Sequence, residues 1–239
     1  MSTQEVPGDV KMTIVEHLEE LRDRLIVIAI ALVVSTAFSL IFTERVLLVL
    51  KKPMEEHVLV AQGPPEAFVV YFRVALICGV ALAMPVILYE AVRYLLPALT
   101  PQEKRYLYLL LPGGTLSFIA GLAFAGLVML PAAVRFLANF GRDIITPLWT
   151  IEKYIAFVTT VMFWVGVIFE LPLVMFFLAK LNLVTAKALG RFRRFWIVLA
   201  AVIAAVVTPT PDPVNMVIVM VPLILLYEVG ILLVRLAGK

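Results

Sequence analysis

The chain reads as an all-α integral membrane protein with six transmembrane helices, and three observations lead there. First, 63% of its 239 residues are hydrophobic and the mean hydropathy is +1.05, whereas a soluble domain is roughly 45–50% apolar. Second, the apolar residues gather into long runs separated by polar, Pro-rich connectors, and about 20 such residues cross a bilayer as a helix. Third, thirteen of the 20 Lys and Arg residues fall on the side that six crossings assign to both termini. Basic residues favour the cytoplasmic side, so both termini are expected there.

The opening stretch MSTQEVPGDVKM lacks the basic region and small-residue cleavage site of a signal peptide. Thr13-Ile14-Val15-Glu16 has the form of a capping box, so a helix is expected to start at Thr13. Ile14, Leu18, Leu21 and Leu25 share one face of it, and Glu16, Glu19, Glu20 and Asp23 cover most of the rest. Such an amphipathic prelude either anchors at the interface or, through its surplus of carboxylates, offers a docking site for cations. It runs directly into the first span, about 25–42.

Residues 43–66 form a long extramembrane connector with Pro53, Gly63, Pro64 and Pro65, in which Val46–Leu50 is apolar but too short to span. The second span covers about 67–96 and carries Pro85, Glu90, Arg93 and Tyr94. Thr100, Pro101 and Glu103 then suit the N-cap, first and third positions of the next helix, so Glu103 has a structural role open to it. The third span, about 106–136, brings Gly121 and Ala125 one turn apart, a spacing that lets helices approach closely. A second connector, 138–150, precedes the fourth span at about 153–181. After the basic stretch NLVTAKALGRFRRFW, the fifth span is expected over 195–207 and the sixth over 216–236, both short, with TPTPDPVN between them. The whole chain is thus one membrane domain.

The fourth span holds the sharpest single feature. Glu170 is a lone carboxylate near the middle of KYIAFVTTVMFWVGVIFELPLVMFFLAKL, beside the helix-distorting Pro172. A charge at that depth costs at least about 2.5 kcal/mol, so such residues face a bundle interior, a partner or a polar cavity. A protonated acid bonded to a neighbouring helix and a functional group both fit. Elsewhere the chain offers little chemistry. His17 and His57 cannot assemble a metal site, Cys78 is alone, and no phosphate-binding glycine loop, metalloprotease motif or Ser/His/Asp pattern occurs. Neither an enzyme nor a cofactor or nucleic-acid partner is expected.

Taken together, HLEELRDRL at 17–25, Pro53, PPEAF at 64–68, MPVILYE at 84–90, PALTPQEKR at 97–105, FELP at 169–172 and TPTPDP at 208–213 resemble the TatC family in order and spacing. TatC is the core receptor subunit of the twin-arginine protein translocase. The resemblance spans Thr13 to about Leu236, with departures at Asp23, where the family often has a basic residue, and at Asn215-Met216, where Ser-Gln is frequent.

The resemblance implies a cupped six-helix protein in the cytoplasmic membrane that binds signal peptides carrying two adjacent arginines. It implies assembly with TatA- and TatB-like single-span proteins and with further copies of the chain, and export of folded proteins driven by the proton-motive force. On the family pattern Glu20 and Glu103 are the arginine-recognising acids, with Leu21, Arg22 and Tyr94 near them, and Glu170 is an intramembrane partner contact. Pro53, Phe68, Pro85, Pro172 and Asp212 match structural positions. Guanidinium chemistry agrees, because two arginines call for two separately placed carboxylates. The rival reading is a proton-coupled small-solute transporter with Glu170 as proton carrier. Such folds often show clear internal repeats, a signal that is weak here, and Glu170 has no charged midplane companion.

Overall fold

A computed structural model describes residues 14–54, 58–95, 101–140, 148–208 and 212–238, with 101–110 described as helical backbone only. Nine helices and one short strand pair make up the described fold. The expected cap at Thr13, the expected cap at Thr100 and the side chain of Glu103 lie outside the described residues.

Helix α1 (Ile14–Ser39) ends earlier than the expected span, which ran to 42. Its last turn tightens, with the Phe42 N–H donating to Ser39 O and the Thr43 hydroxyl donating to the same carbonyl. The chain then bends by 76° into α2 (Thr43–Lys51), which takes in the apolar stretch 46–50 and buries Leu47 and Leu50. A 3-10 turn, Lys52–Met54, follows; it carries Pro53 and drops Met54 into the core.

Helix α3 (Pro65–Leu95) is continuous through Pro85, whose side is exposed. It packs along α1 through small polar residues. The Ser35 hydroxyl donates to Gly79 O (2.9 Å) and the Ser39 hydroxyl to Ala75 O (2.5 Å). A β-carbon on Gly79 would lie 2.7 Å from Thr36 Cα, so the two backbones are as close as a missing side chain allows.

Helix α4 (Pro101–Phe124) passes through one π turn (Ala125–Met129) into α5 (Leu130–Asn139), a single apolar column longer than the expected span. Gly121 and Ala125 do serve a close crossing. Ala125 is fully buried and Gly121 lies against Gly166 of α6 (Ile151–Phe169). Two connectors expected to be irregular are joined by a pair of two-residue strands. In register, β1 (Leu59–Val60) runs parallel to β2 (Trp149–Thr150), Leu59 opposite Trp149. Tyr154 strengthens the tie by donating its hydroxyl to Leu50 O (2.7 Å).

The fourth apolar run is two helices rather than one. α6 stops at Phe169, and α7 (Leu171–Lys180) starts with Pro172 in its first turn. Beyond a turn at Asn182, α8 (Ala186–Val207) begins well before the apolar stretch 195–207, because Thr185 caps it by accepting from the Ala188 N–H (3.2 Å). At 22 residues α8 is about 33 Å long, so only its apolar part, not the helix, is short. Helix α9 (Pro213–Leu236) packs on α8 through stacked Trp196 and Tyr227 rings at 4.7 Å. Both rings satisfy their polar atoms on backbone carbonyls, Trp196 on Leu223 O and Tyr227 on Leu189 O.

Among the described residues, four stretches are long and apolar enough to cross a membrane: Pro65–Tyr94, Leu111–Asn139, Ile151–Lys180 and Pro213–Leu236. The bent α1–α2 pair, taken as one span, adds a fifth. The protein is therefore an all-α, multi-pass membrane protein.

Candidate functional site

At the N-terminal end of α1, residues His17, Glu20, Leu21 and Arg24 fall three or four apart and share one helix face. Glu90 and Tyr94 are one turn apart at the C-terminal end of α3. Packing of α1 on α3 brings these two faces together. His17 stacks on Tyr94, ring centroids 4.4 Å apart and planes 16° from parallel. Beside the stack, the Arg24 guanidinium bridges the helices, Nη2 donating to Glu20 Oε1 at 2.8 Å and Nη1 to Glu90 Oε2 at 2.9 Å.

These are not surface ion pairs. The side chains of Arg24, Glu20 and Glu90 are only 18%, 15% and 7% exposed, so solvent screening is weak and the contacts are charge-assisted hydrogen bonds of the stronger kind. The triad is also incompletely satisfied. Among the described residues, Glu20 Oε2 and Arg24 Nε are buried without a hydrogen-bond partner. Leu21 lies half-buried on the same face. Arg22 points elsewhere, exposed and paired with its neighbour Asp23 at 2.9 Å, so the described arrangement does not bring it to the carboxylates.

Sequence reading did not assign Arg24 or Glu90 to this site. Arg24 stands at i+4 from Glu20, the spacing of a helical ion pair, and Glu90 stands one turn before Tyr94. Those spacings were the signals that could have found them.

Glu170 occupies the break between α6 and α7, with φ −72° and ψ −18°. Pro172 has no N–H to donate, and both Leu173 and Val174 donate to Glu170 O at 3.0 Å. The Phe169 carbonyl, left over by that shift, accepts from the Ser117 hydroxyl of α4 at 2.6 Å; hydroxyls on neighbouring helices commonly satisfy such freed groups. The Glu170 carboxylate lies over Gly114 of α4, where a β-carbon would sit 3.0 Å from Oε2. Its Oε1 is buried with no hydrogen-bond partner among the described residues.

The remaining positions have local explanations. Asp212 caps α9, accepting from the Asn215 N–H and from Asn215 Nδ2, both at 2.8 Å. Phe68 is 73% exposed on α3 and stacks on Phe72. Glu66 is buried and accepts from the Gln62 N–H at 2.9 Å, closing the turn before α3.

Comparison with known proteins converges on one family. The family model described as Sec-independent protein translocase protein (TatC) matches residues 16–222. The chain is 37% identical to the Sec-independent protein translocase protein TatC of Aquifex aeolicus, over 95% of this chain and 97% of that one. It is 35% identical to TatC of Carboxydothermus hydrogenoformans, covering 95% and 94%. It is also 36% identical to the chloroplastic TATC of Arabidopsis thaliana, over 99% of this chain and 70% of the relative. A crystal structure of a twin-arginine translocase receptor, TatC, superposes with a TM-score of 0.83 at 36% identity, covering 94% of this chain and all of that one. With relatives this similar along nearly its full length, and with the same helical architecture, the chain belongs to the TatC family of Sec-independent protein translocase proteins.

Proposed function

We propose that the chain is the signal-peptide receptor of a twin-arginine translocase, and that the face shared by α1 and α3 reads an arginine from the peptide. The observation that carries this reading is the half-enclosed carboxylate pair, Glu20 and Glu90, already holding a guanidinium across two helices. A site that accommodates one guanidinium in fork geometry has the chemistry to accept another. Glu103, near the start of α4, supplies the acid for the second arginine. Leu21 and Tyr94 provide apolar and aromatic walls, and Arg22, pointing away from the acids, serves the rim of the site.

In this reading six segments cross the cytoplasmic membrane, the apolar part of α8 being the fifth in chain order and α9 the sixth, and both termini face the cytoplasm. The distribution of basic residues supports that orientation. The chain works with TatA- and TatB-like single-span proteins and with further copies of itself, surrounded by lipid. The complex moves folded proteins by using the proton-motive force. Glu170 is the intramembrane contact for a partner helix.

The test is peptide binding. A labelled peptide with two adjacent arginines is titrated against the purified full chain, beside a peptide in which both arginines are lysines. Glu20→Gln and Glu103→Gln are each expected to weaken arginine-peptide binding by about 10- to 100-fold, the loss of one charge-assisted contact. Gln retains the capping ability of Glu103. Unchanged affinity in both variants would reduce these acids to helix capping and packing.

A further inference from the structure

The guanidinium held by Glu20 and Glu90 belongs to the chain itself. We infer that Arg24 is a resident placeholder in the peptide site, and that Glu90 keeps Arg24 when Glu20 turns to an arginine of the ligand. This rests on the receptor reading above and adds two residues to it, Arg24 and Glu90, as positioning groups that set affinity.

The geometry fits an exchange better than a permanent clamp. Arg24 uses different nitrogens for its two acids, Nη2 for Glu20 and Nη1 for Glu90, so one contact breaks without the other. Glu90 is the deeper acid, 7% exposed against 15% for Glu20. A cation arriving from solvent therefore meets Glu20 first. That carboxylate has an acceptor in reserve, because Oε2 is buried with no partner. As Glu20 turns outward an incoming guanidinium bonds to it while Arg24 stays on Glu90, so neither acid is left as a bare buried charge, which is the expensive event in such a site. Within the triad two carboxylates face one guanidinium, and the arriving arginine completes the neutralisation. Arg24 itself gives up little, since its Nε has no partner in the resting arrangement.

Exchange and clamp predict opposite orders of affinity. If Arg24 is a competitor held aside by Glu90, Arg24→Gln frees Glu20 and tightens arginine-peptide binding by about tenfold. Glu90→Gln removes the acid that receives Arg24, ties Arg24 to Glu20 and weakens binding by a similar factor. The double variant behaves like Arg24→Gln, because Glu90 matters only while Arg24 is present. If the triad merely fastens α1 to α3, both single variants weaken binding and the double variant is no better. Arg24→Lys guards against misfolding. It keeps the positive charge but lacks the fork that spans two acids, so its affinity falls between wild type and Arg24→Gln under exchange, and at or below wild type under the clamp. Measurements use the full chain in lipid nanodiscs, with the labelled arginine peptide and its lysine counterpart. Affinities ordered Arg24→Gln, Arg24→Lys, wild type and Glu90→Gln from tightest to weakest support the exchange, and weakening by Arg24→Gln and Arg24→Lys alike overturns it. Failure of the wild type and of every variant to distinguish the arginine peptide from the lysine peptide sinks the receptor reading itself, and the exchange with it.

Discussion

Gly121 of α4 and Gly166 of α6 meet backbone to backbone: a β-carbon on Gly121 would lie 2.9 Å from Gly166 Cα and 2.9 Å from Val165 O. Neither of those atoms is the end of a flexible side chain, so the helices must separate to admit even a methyl group. Gly121→Ala is expected to destabilise the protein by about 1–3 kcal/mol, the usual cost of overpacking a close contact. Gly190, in α8, is the control, because a β-carbon there meets nothing within 4 Å. Gly190→Ala should gain up to about 1 kcal/mol from helix propensity alone. Thermal unfolding of both variants in one detergent checks the contrast; equal behaviour would show that the α4–α6 crossing is looser than described.

The cap on α9 gives a second stability test. Asp212 accepts two hydrogen bonds from Asn215, one from its backbone N–H and one from its side-chain amide. Removing an N-cap side chain costs roughly 0.5–2 kcal/mol, while Asn caps about as well as Asp. Asp212→Ala should therefore lower the unfolding midpoint and Asp212→Asn should leave it nearly unchanged. A large loss with Asn would mean that the negative charge of Asp212, rather than its capping geometry, is what the protein uses.

Orientation is tested by chemical labelling in a Cys78→Ser background. Gln62 is an exposed residue in the connector before α3, and a cysteine there should react with an impermeant maleimide added outside intact cells. A cysteine at Gln102, at the start of α4, should react only after the membrane is opened. The reverse pattern would place both termini outside and undo the orientation drawn from basic residues.

How much of this was legible in the sequence differs between membrane and site. Apolar runs located the crossing helices because hydropathy reports what a bilayer demands. It does not report where a helix ends. Hence α8 starts at Ala186, under the Thr185 cap, rather than where its apolar stretch begins, and α1 stops at Ser39 although apolar residues continue. The β1–β2 pair joins residues some 90 positions apart in two-residue strands, too short to show any alternation. At the site, Glu20 and Tyr94 were named from the family resemblance. Arg24 and Glu90 were not, because helical spacing ties each only to a neighbour on its own helix, and the contact that joins them spans 66 positions. Charge on one helix shows which face is polar; only the packing of α1 on α3 shows which acids share a guanidinium. Glu170 was legible by itself, since a lone acid beside proline in an apolar run violates composition locally.

That acid supports the last prediction, which separates a partner contact from proton carriage and from a role in holding the fold. Glu170 Oε1 is buried and has no hydrogen-bond partner among the described residues, and the break at α6–α7 sets the carboxylate over Gly114, where the Leu88 and Leu173 side chains also close in. The backbone break is satisfied elsewhere, by Ser117 on the Phe169 carbonyl, rather than by the carboxylate. An amide has the same shape and can still hydrogen-bond to a polar residue on a docking helix, but it cannot carry a proton. Glu170→Gln should therefore keep partial export, Glu170→Ala should lose more, and both should insert and bind signal peptide as the wild type does. Intramembrane hydrogen bonds are worth about 0.6 kcal/mol on average and about 1.7 at most, so the defect of the Ala variant should appear in crosslinking to a single-span partner rather than in stability. Export abolished equally in Gln and Ala, with partner crosslinking intact, would rule out the contact and assign the acid to proton chemistry.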